Sequence, residues 1–324
     1  MSATTVPQAP LQGPAPHGDG AEGPEDVLAR RKLRWWLEIV YIVAFYSVYS
    51  LIRNQFGSAG RFEVGADRAL QNARWVMDVE RAMGLFVEES IQDMFLGSDW
   101  FIRFWNIFYG SLHFVVTAAV MVFLFTMFPA RYRRYRNVLA FTTGLALVGF
   151  ALFPLMPPRL LDAGHPMGAS LTEVDFVDTL RTVGGLWSFD SGAVSKISNQ
   201  WAAMPSLHIA WAVWCVVAMW PVLRYRWTRV LFVCYPFATL FAIVVTANHY
   251  WIDAVGGLLV LVAGWWLGNT FTNRLVPDEV LRAEAQRRRT FAPRGRLARL
   301  PSTDGPRPQV TGSPPCHVHH GGGT

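Results

Sequence analysis

The fold class predicted by this sequence is all-α: a polytopic membrane protein with a bundle of six transmembrane helices and an amphipathic helical segment on its outer side. Three observations carry that prediction. The 324 residues are 52% hydrophobic and only 16% charged, where soluble domains carry about 25% charge. Six apolar stretches lie near 35–52, 101–128, 138–155, 204–222, 229–247 and 251–272, each close to the ~20 residues that cross a bilayer. Arginines gather beside alternate ends of those stretches, and 14 Trp and 22 Phe fit aromatic interfacial belts.

Taken in order, residues 1–29 are rich in Pro, Gly and Ala and are expected to be disordered. They do not read as a secretory signal, because the first apolar run begins only after Arg30-Arg31-Lys32. Residues 30–273 form the expected membrane-embedded domain. Residues 274–324 are a basic and then Pro/Gly/Ser-rich tail, expected to be largely disordered beyond a helical extension to about 285.

Charge sets the orientation. With the N-terminus inside, the inner segments carry Arg30, Arg31, Lys32 and Arg34, then Arg131, Arg133, Arg134 and Arg136, then Arg224, Arg226 and Arg229. The two middle inner loops contain no acid. Outer residues 53–99 hold five Arg against eight acids, and outer residues 156–203 hold Arg159, Arg181 and Lys196 against five acids. The positive-inside rule therefore predicts a multi-pass cell-membrane protein with both termini cytoplasmic. The net charge of +6 serves orientation on this reading, and no nucleic-acid partner is expected. The bilayer itself is the expected surroundings.

Residues 53–99 are too polar to span. Val64, Leu70, Val76, Val79, Met83, Phe86, Val87, Ile91 and Phe95 recur at roughly helical spacing, which predicts one or two amphipathic helices at the outer interface. The three cysteines give no disulfide framework. Cys215 and Cys234 sit in apolar runs and are expected to be buried thiols, and Cys316 lies in the tail.

In that orientation the ends of spans three to six that face outward carry Pro157-Pro158-Arg159, Met204-Pro205-Ser206-Leu207-His208 and Asn248-His249-Tyr250-Trp251-Ile252-Asp253. Segments far apart in sequence converge on the extracytoplasmic side. His249 and Asp253 are four apart, on one helix face. A carboxylate there fixes the imidazole tautomer and makes the other ring nitrogen a nucleophile toward phosphorus. Pro205 suits a first helical turn. Ser206 and the free N–H groups beside it suit a phosphate oxygen. His208 then stands within a turn of the helix start, placed to protonate a leaving alkoxide. Arg159 offers a fork for two phosphoryl oxygens. Lys196, Asn248 and His113 are further candidates for contacting the phosphate. The competing structural reading makes the His249–Asp253 pair a turn lock, Ser206 a helix cap and Arg159 an interfacial arginine.

No metal or other cofactor is expected. The sequence contains no His-Glu-x-x-His and no Cys-x-x-Cys set, and His317, His319 and His320 fall in the tail. The expectation is metal-independent phosphoryl transfer from a membrane lipid phosphate, diphosphate or phosphodiester, to water or to another hydroxyl.

These residues resemble the type 2 phosphatidic acid phosphatase superfamily of phosphatases and phosphotransferases. Its Pro-Ser-Gly-His motif appears as Pro205-Ser206-Leu207-His208, and its His-x-x-x-Asp as His249 and Asp253. The Leu variant, with Ala202-Ala203-Met204 before it and His249-Tyr250 later, is similar to the inositol phosphorylceramide synthase (inositolphosphotransferase) branch. The resemblance implies a six-helix bundle over roughly 33–273, with His249 as nucleophile forming a phosphohistidine, His208 as general acid and Asp253 as orienting carboxylate. Two departures stand out. No lysine lies seven residues before Arg159, and the positions that match the family's Ser-Arg pair are Ala242 and Ile243. The phosphate charge is then met by fewer or differently placed cations. A non-catalytic lipid-binding or transport protein that kept the fold is the competing expectation.

Overall fold

The computed structural model describes residues 34–56, 62–162, 171–186 and 201–273. The chain divides into the units Met1–Ala285 and Gln286–Thr324, and all described residues belong to the first. The segments expected to be disordered, Lys196, and the histidines at 165, 317, 319 and 320 lie outside the described residues.

Among the described residues the protein is helical, with no strand and a single isolated bridge between Leu155 and Ala202. We number the helices α1 (Trp35–Phe56), α2 (Phe62–Ala82), α3 (Glu88–Leu96), α4 (Asp99–Ile107), α5 (His113–Met127), α6 (Pro129–Leu152), α7 (Thr179–Thr182), α8 (Leu207–Met219), α9 (Arg226–Val245) and α10 (Trp251–Asn273). A π turn, Phe108–Leu112, joins α4 to α5 without a break, and a 3₁₀ turn covers Pro158–Leu161.

Four helical runs are long and apolar enough to cross a membrane: Asp99–Met127, Arg131–Leu152, Arg226–Val245 and Trp251–Asn273. These coincide with predicted spans two, three, five and six. Spans one and four appear as shorter apolar helices, Trp35–Val48 and Leu207–Met219. The fourth is short for a local reason. Pro205 and Ser206 precede its first turn, and the helix ends just before Trp220-Pro221. Its 13 residues reach about 20 Å at 1.5 Å per residue, against a hydrocarbon core near 30 Å.

The outer surfaces of these helices are apolar. Ile39, Val40, Ile42 and Val43 on α1, Val230, Leu231 and Phe237 on α9, and Leu259, Val262 and Trp266 on α10 are all exposed. Apolar surface of that extent on a folded domain marks contact with lipid. The same geometry corrects one expectation. Cys215 is buried as predicted, whereas Cys234 is exposed on the outward side of α9. An apolar run buries its residues only on the side that meets other helices.

The polar stretch predicted to be amphipathic forms α2 and α3. Its buried side is Ala69, Ala73, Val76 and Met77, packed with Leu155, Met156, Trp201 and Tyr250 in one core cluster. Small residues line this face because the chain leaving α6 crosses close over it. Asn72 Nδ2 donates to Pro154 O at 2.7 Å, and Met156 N donates to Ala69 O at 3.2 Å. Met83 and Val87, read as part of the apolar face, are exposed, because α2 ends there and the chain turns at Gly84 with φ +69°.

Helices α6 and α10 share the most extensive helix–helix contact among the described elements. Gly264 and Gly268 permit it. A Cβ on Gly268 would lie 2.7 Å from Val138 Cα, and one on Gly264 would lie 2.7 Å from Thr142 Cα. Polar pairs tie the same end of the bundle: Asn137 Nδ2 to Thr272 Oγ1 at 3.0 Å, Arg134 Nε to Asn269 Oδ1 at 2.7 Å, and Arg136 Nη1 to Glu38 Oε1 at 2.6 Å.

Candidate active site

At the opposite end of α6 and α10, the segment Met204-Pro205-Ser206 enters between the two helices. A Cβ on Gly149 would lie 2.6 Å from Pro205 Cδ, one on Gly256 would lie 3.3 Å from Pro205 Cβ, and one on Gly257 would overlap the Ser206 carbonyl oxygen. Three glycines thus open the space for one motif. Ser206 N donates to Asp253 O at 2.9 Å, which ties the start of α8 to the first turn of α10. Ser206 is fully buried, and its Oγ makes no hydrogen bond among the described residues. The hydroxyl is therefore not used as a helix cap.

The other motif is built by the turn from α9 into α10. Asn248 N and His249 N both donate to Ile243 O, at 2.9 and 3.1 Å. Ala247 adopts φ +50°, a left-handed conformation that costs a residue with a Cβ about 1–2 kcal/mol. Asn248 turns its side-chain amide to Thr246 O and Oγ1, at 3.1 and 2.8 Å, so it braces the turn. His249 Nδ1 lies 3.2 Å from Asp253 Oδ2, and the same oxygen accepts from Tyr250 N at 3.1 Å. The carboxylate therefore holds both the ring and the backbone that carries it, and Nε2 of His249 is the nitrogen left for chemistry.

The two motifs meet. The His208 and His249 rings stand 5.4 Å apart between centroids, inclined at 68°. His113 completes the cluster, with its ring 4.0 Å from His208 and its Nδ1 3.1 Å from Tyr109 O. Tyr109 stacks on His208 at 4.4 Å and lies 6.4 Å from His249. Among the described residues, no group of three or more His, Cys, Asp or Glu could hold a metal ion.

Arg159 is brought to the same neighbourhood and is buried. Its N–H donates to Ala247 O at 2.7 Å, which ties the 3₁₀ turn to the loop carrying His249. Its guanidinium pairs with Asp178, Nη1 to Oδ2 at 3.0 Å, both side chains being almost fully buried. Asp178 also caps α7, accepting from Leu180 N and Arg181 N. Tyr109 lies in the field of both Arg159 and Asp178, so this ion pair borders the histidine cluster. Ala242 and Ile243, the apolar substitutes for the Ser-Arg pair, are fully buried.

Two acids from the extramembrane helices close the site from the α2–α3 side. Glu88 Oε1 accepts from Trp251 N at 2.9 Å, and Glu80 Oε1 accepts from Ile252 N at 3.1 Å. Acids suit a helix N-terminus, with its free N–H groups and positive dipole end. Burial and the neighbouring charge of Glu88 push the Glu80 carboxyl up to about 9.

Of the residues picked out in the sequence, His249, Asp253, His208, Ser206, His113 and Arg159 are brought together, and Asn248 is turned to the loop that holds them. Tyr109, Asp178, Glu80 and Glu88 were missed. Tyr109 had one available signal, its place four residues before His113. The three acids had none, because their partners lie far away along the chain.

A buried His–Asp pair faces a second imidazole and a buried serine, with an arginine beside them, at one end of an apolar helical bundle. This arrangement defines an integral membrane protein with a cluster of histidines and a buried carboxylate at one end of its bundle. The chain matches the PAP2 superfamily over residues 74–267, more than half of its length, and it belongs to that superfamily. Membership points to a membrane enzyme of the phosphatase type. No curated protein and no solved structure matches it.

Proposed function

We propose that the protein transfers a phosphoryl group from a membrane lipid phosphate, diphosphate or phosphodiester through a phosphohistidine on His249. The observation that carries this is the buried His249–Asp253 pair with the His208 ring 5.4 Å away. In the first step the Nε2 lone pair of His249 attacks phosphorus. The P–O bond to the lipid alcohol breaks, its electrons leave with the oxygen, and that oxygen takes the proton of His208. Asp253 accepts the Nδ1 hydrogen bond and balances the charge that develops on the ring. In the second step a water or alcohol oxygen attacks phosphorus and gives its proton to His208. The P–N bond then breaks and restores His249.

Ser206 Oγ and Arg159 supply the phosphate contacts. A guanidinium has five donors, so Arg159 can bridge Asp178 and a phosphoryl oxygen at once. Lys196 is assigned to the same task by its place in the outer loop. His113 and Asn248 line and brace the recess. All the roles are filled by side chains, and the scheme assigns none to a metal.

The likeness of the Pro205-Ser206-Leu207-His208 motif to the inositol phosphorylceramide synthase branch favours an inositolphosphotransferase-like reaction, with an alcohol rather than water as acceptor. The charge pattern favours six crossings within a membrane domain over 30–273, with both termini cytoplasmic and the site extracytoplasmic.

The test is to incubate the protein in lipid nanodiscs with phosphatidic acid or phosphatidylinositol labelled at phosphorus, then quench in alkali. The expected result is a labelled, acid-labile protein band in one of the two arms. His249→Ala should abolish both the band and the turnover, a loss of more than about 1,000-fold. Free inositol added to the productive arm should shift label from the hydrolysed product, phosphate or inositol phosphate according to the donor, to a transferred product. Turnover by His249→Ala equal to wild type would overturn the scheme. Lipid binding with no turnover by the wild type in either arm would favour the lipid-carrier alternative.

A further inference from the structure

We propose that Tyr109 and His113, presented by the π turn between α4 and α5, are positioning residues that hold His208 in its proton-donating orientation. This rests on the reading of His208 as the donor to the leaving group. It adds a third helix to a site otherwise built from α8 and α10.

The run from Asp99 to Met127 is continuous, yet Phe108–Leu112 winds as a π turn. A π turn inserts one extra residue, and interruptions of this kind recur at functional sites. One residue is about 100° of helical rotation. The insertion therefore re-aims everything after it relative to everything before it. Here it sets Tyr109, within the turn, and His113, directly after it, against the same imidazole.

Two ring contacts restrain His208. The Tyr109 ring lies nearly parallel to it, at 4.4 Å and 19°. The His113 ring approaches at 4.0 Å and 52°. The backbone carbonyl of Tyr109 accepts from His113 Nδ1 at 3.1 Å, which holds the second ring in place. The histidine χ2 torsion is broad and weakly set by rotamer preference, so an unsupported ring would swing. A face contact and a second ring, itself held by the Tyr109 carbonyl, fix its plane together.

A group that only positions a proton donor matters in proportion to how badly the leaving group needs the proton. An alkoxide needs it, and a nitrophenolate departs without it. The experiment compares two water-accepting donors with the same phosphate head, an alkyl ester and a nitrophenyl ester, in detergent micelles. For Tyr109→Leu, kcat on the alkyl ester should fall about 100-fold, while kcat on the nitrophenyl ester should fall less than about threefold, with KM unchanged on both. His113→Leu should show the same split. Tyr109→Phe keeps the ring and the carbonyl and should restore the alkyl-ester rate. Each ratio is taken within one sample, so a reduced folded fraction cancels. Equal losses on both esters, or no loss on either, for both Leu variants would overturn the proposal. If His249→Ala turns over the two esters normally, the parent scheme fails instead, which separates the two failures.

Discussion

Helices α6 and α10 meet twice, in opposite ways. Toward one end Gly264 and Gly268 bring the two backbones into direct contact, with Val138 and Thr142 against them. Toward the other end Gly149, Gly256 and Gly257 hold a third piece of chain, Met204-Pro205-Ser206, between the helices. The same residue type closes the pair at one end and opens it at the other. The closed end is tied by neutral and arginine-mediated pairs such as Asn137–Thr272 and Arg134–Asn269. The open end is tied by buried carboxyls, Asp253, Glu80 and Glu88, on backbone N–H groups. Close helix contact supplies cohesion. The wedged end spends its glycines on placing a serine and a histidine beside the His249–Asp253 pair.

The sharpest way to break that contrast is a methyl group at each end. At Gly257→Ala the new Cβ overlaps the Ser206 carbonyl, which is backbone and must move. A displacement near 1 Å at a catalytic group costs about 100-fold. Turnover per folded molecule should therefore drop by about that factor, measured on the labelled lipid that wild type accepts. At Gly264→Ala the Cβ meets Thr142 backbone, and overpacking costs about 1–3 kcal/mol. The melting temperature in detergent should fall while turnover per folded molecule stays within about twofold. If Gly264→Ala cost as much turnover as Gly257→Ala at equal folded fraction, the two ends would not be functionally distinct.

A smaller effect separates the ends by pH. The Glu80 carboxyl is raised from 4.5 to about 9 by burial and by Glu88, so the folded protein holds a proton that the unfolded chain releases. Its contribution to stability is full below pH 4.5, declines as pH rises through that value, and is lost by about pH 9. Glu80→Gln removes the titrating group and keeps an acceptor for Ile252 N. Between pH 6 and pH 9, wild type should lose more melting temperature than Glu80→Gln. Parallel slopes in the two proteins would show that Glu80 holds no such proton.

Much of this was legible before any coordinates. Long apolar runs located the helices, because crossing a bilayer requires about 20 apolar residues in succession. The spacing of His249 and Asp253 announced their contact, although His249 lies in the turn before α10 and not on a shared helix face. Ser206 and His208 were visible because a proline opened their helix. Cys234 was misplaced, since an apolar run shows the same composition toward lipid as toward protein.

The sequence by itself determined where the apolar helices run and which imidazole has a carboxylate one turn away, since both are written within a few turns of chain. Only the tertiary structure decided what surrounds that pair. Arg159 meets Asp178, 19 residues on, and Trp251 N meets Glu88, 163 residues away. Tyr109 reaches His208 through a π turn that no periodicity marks. Contacts made across such separations depend on how the helices pack, and packing leaves no local pattern to read.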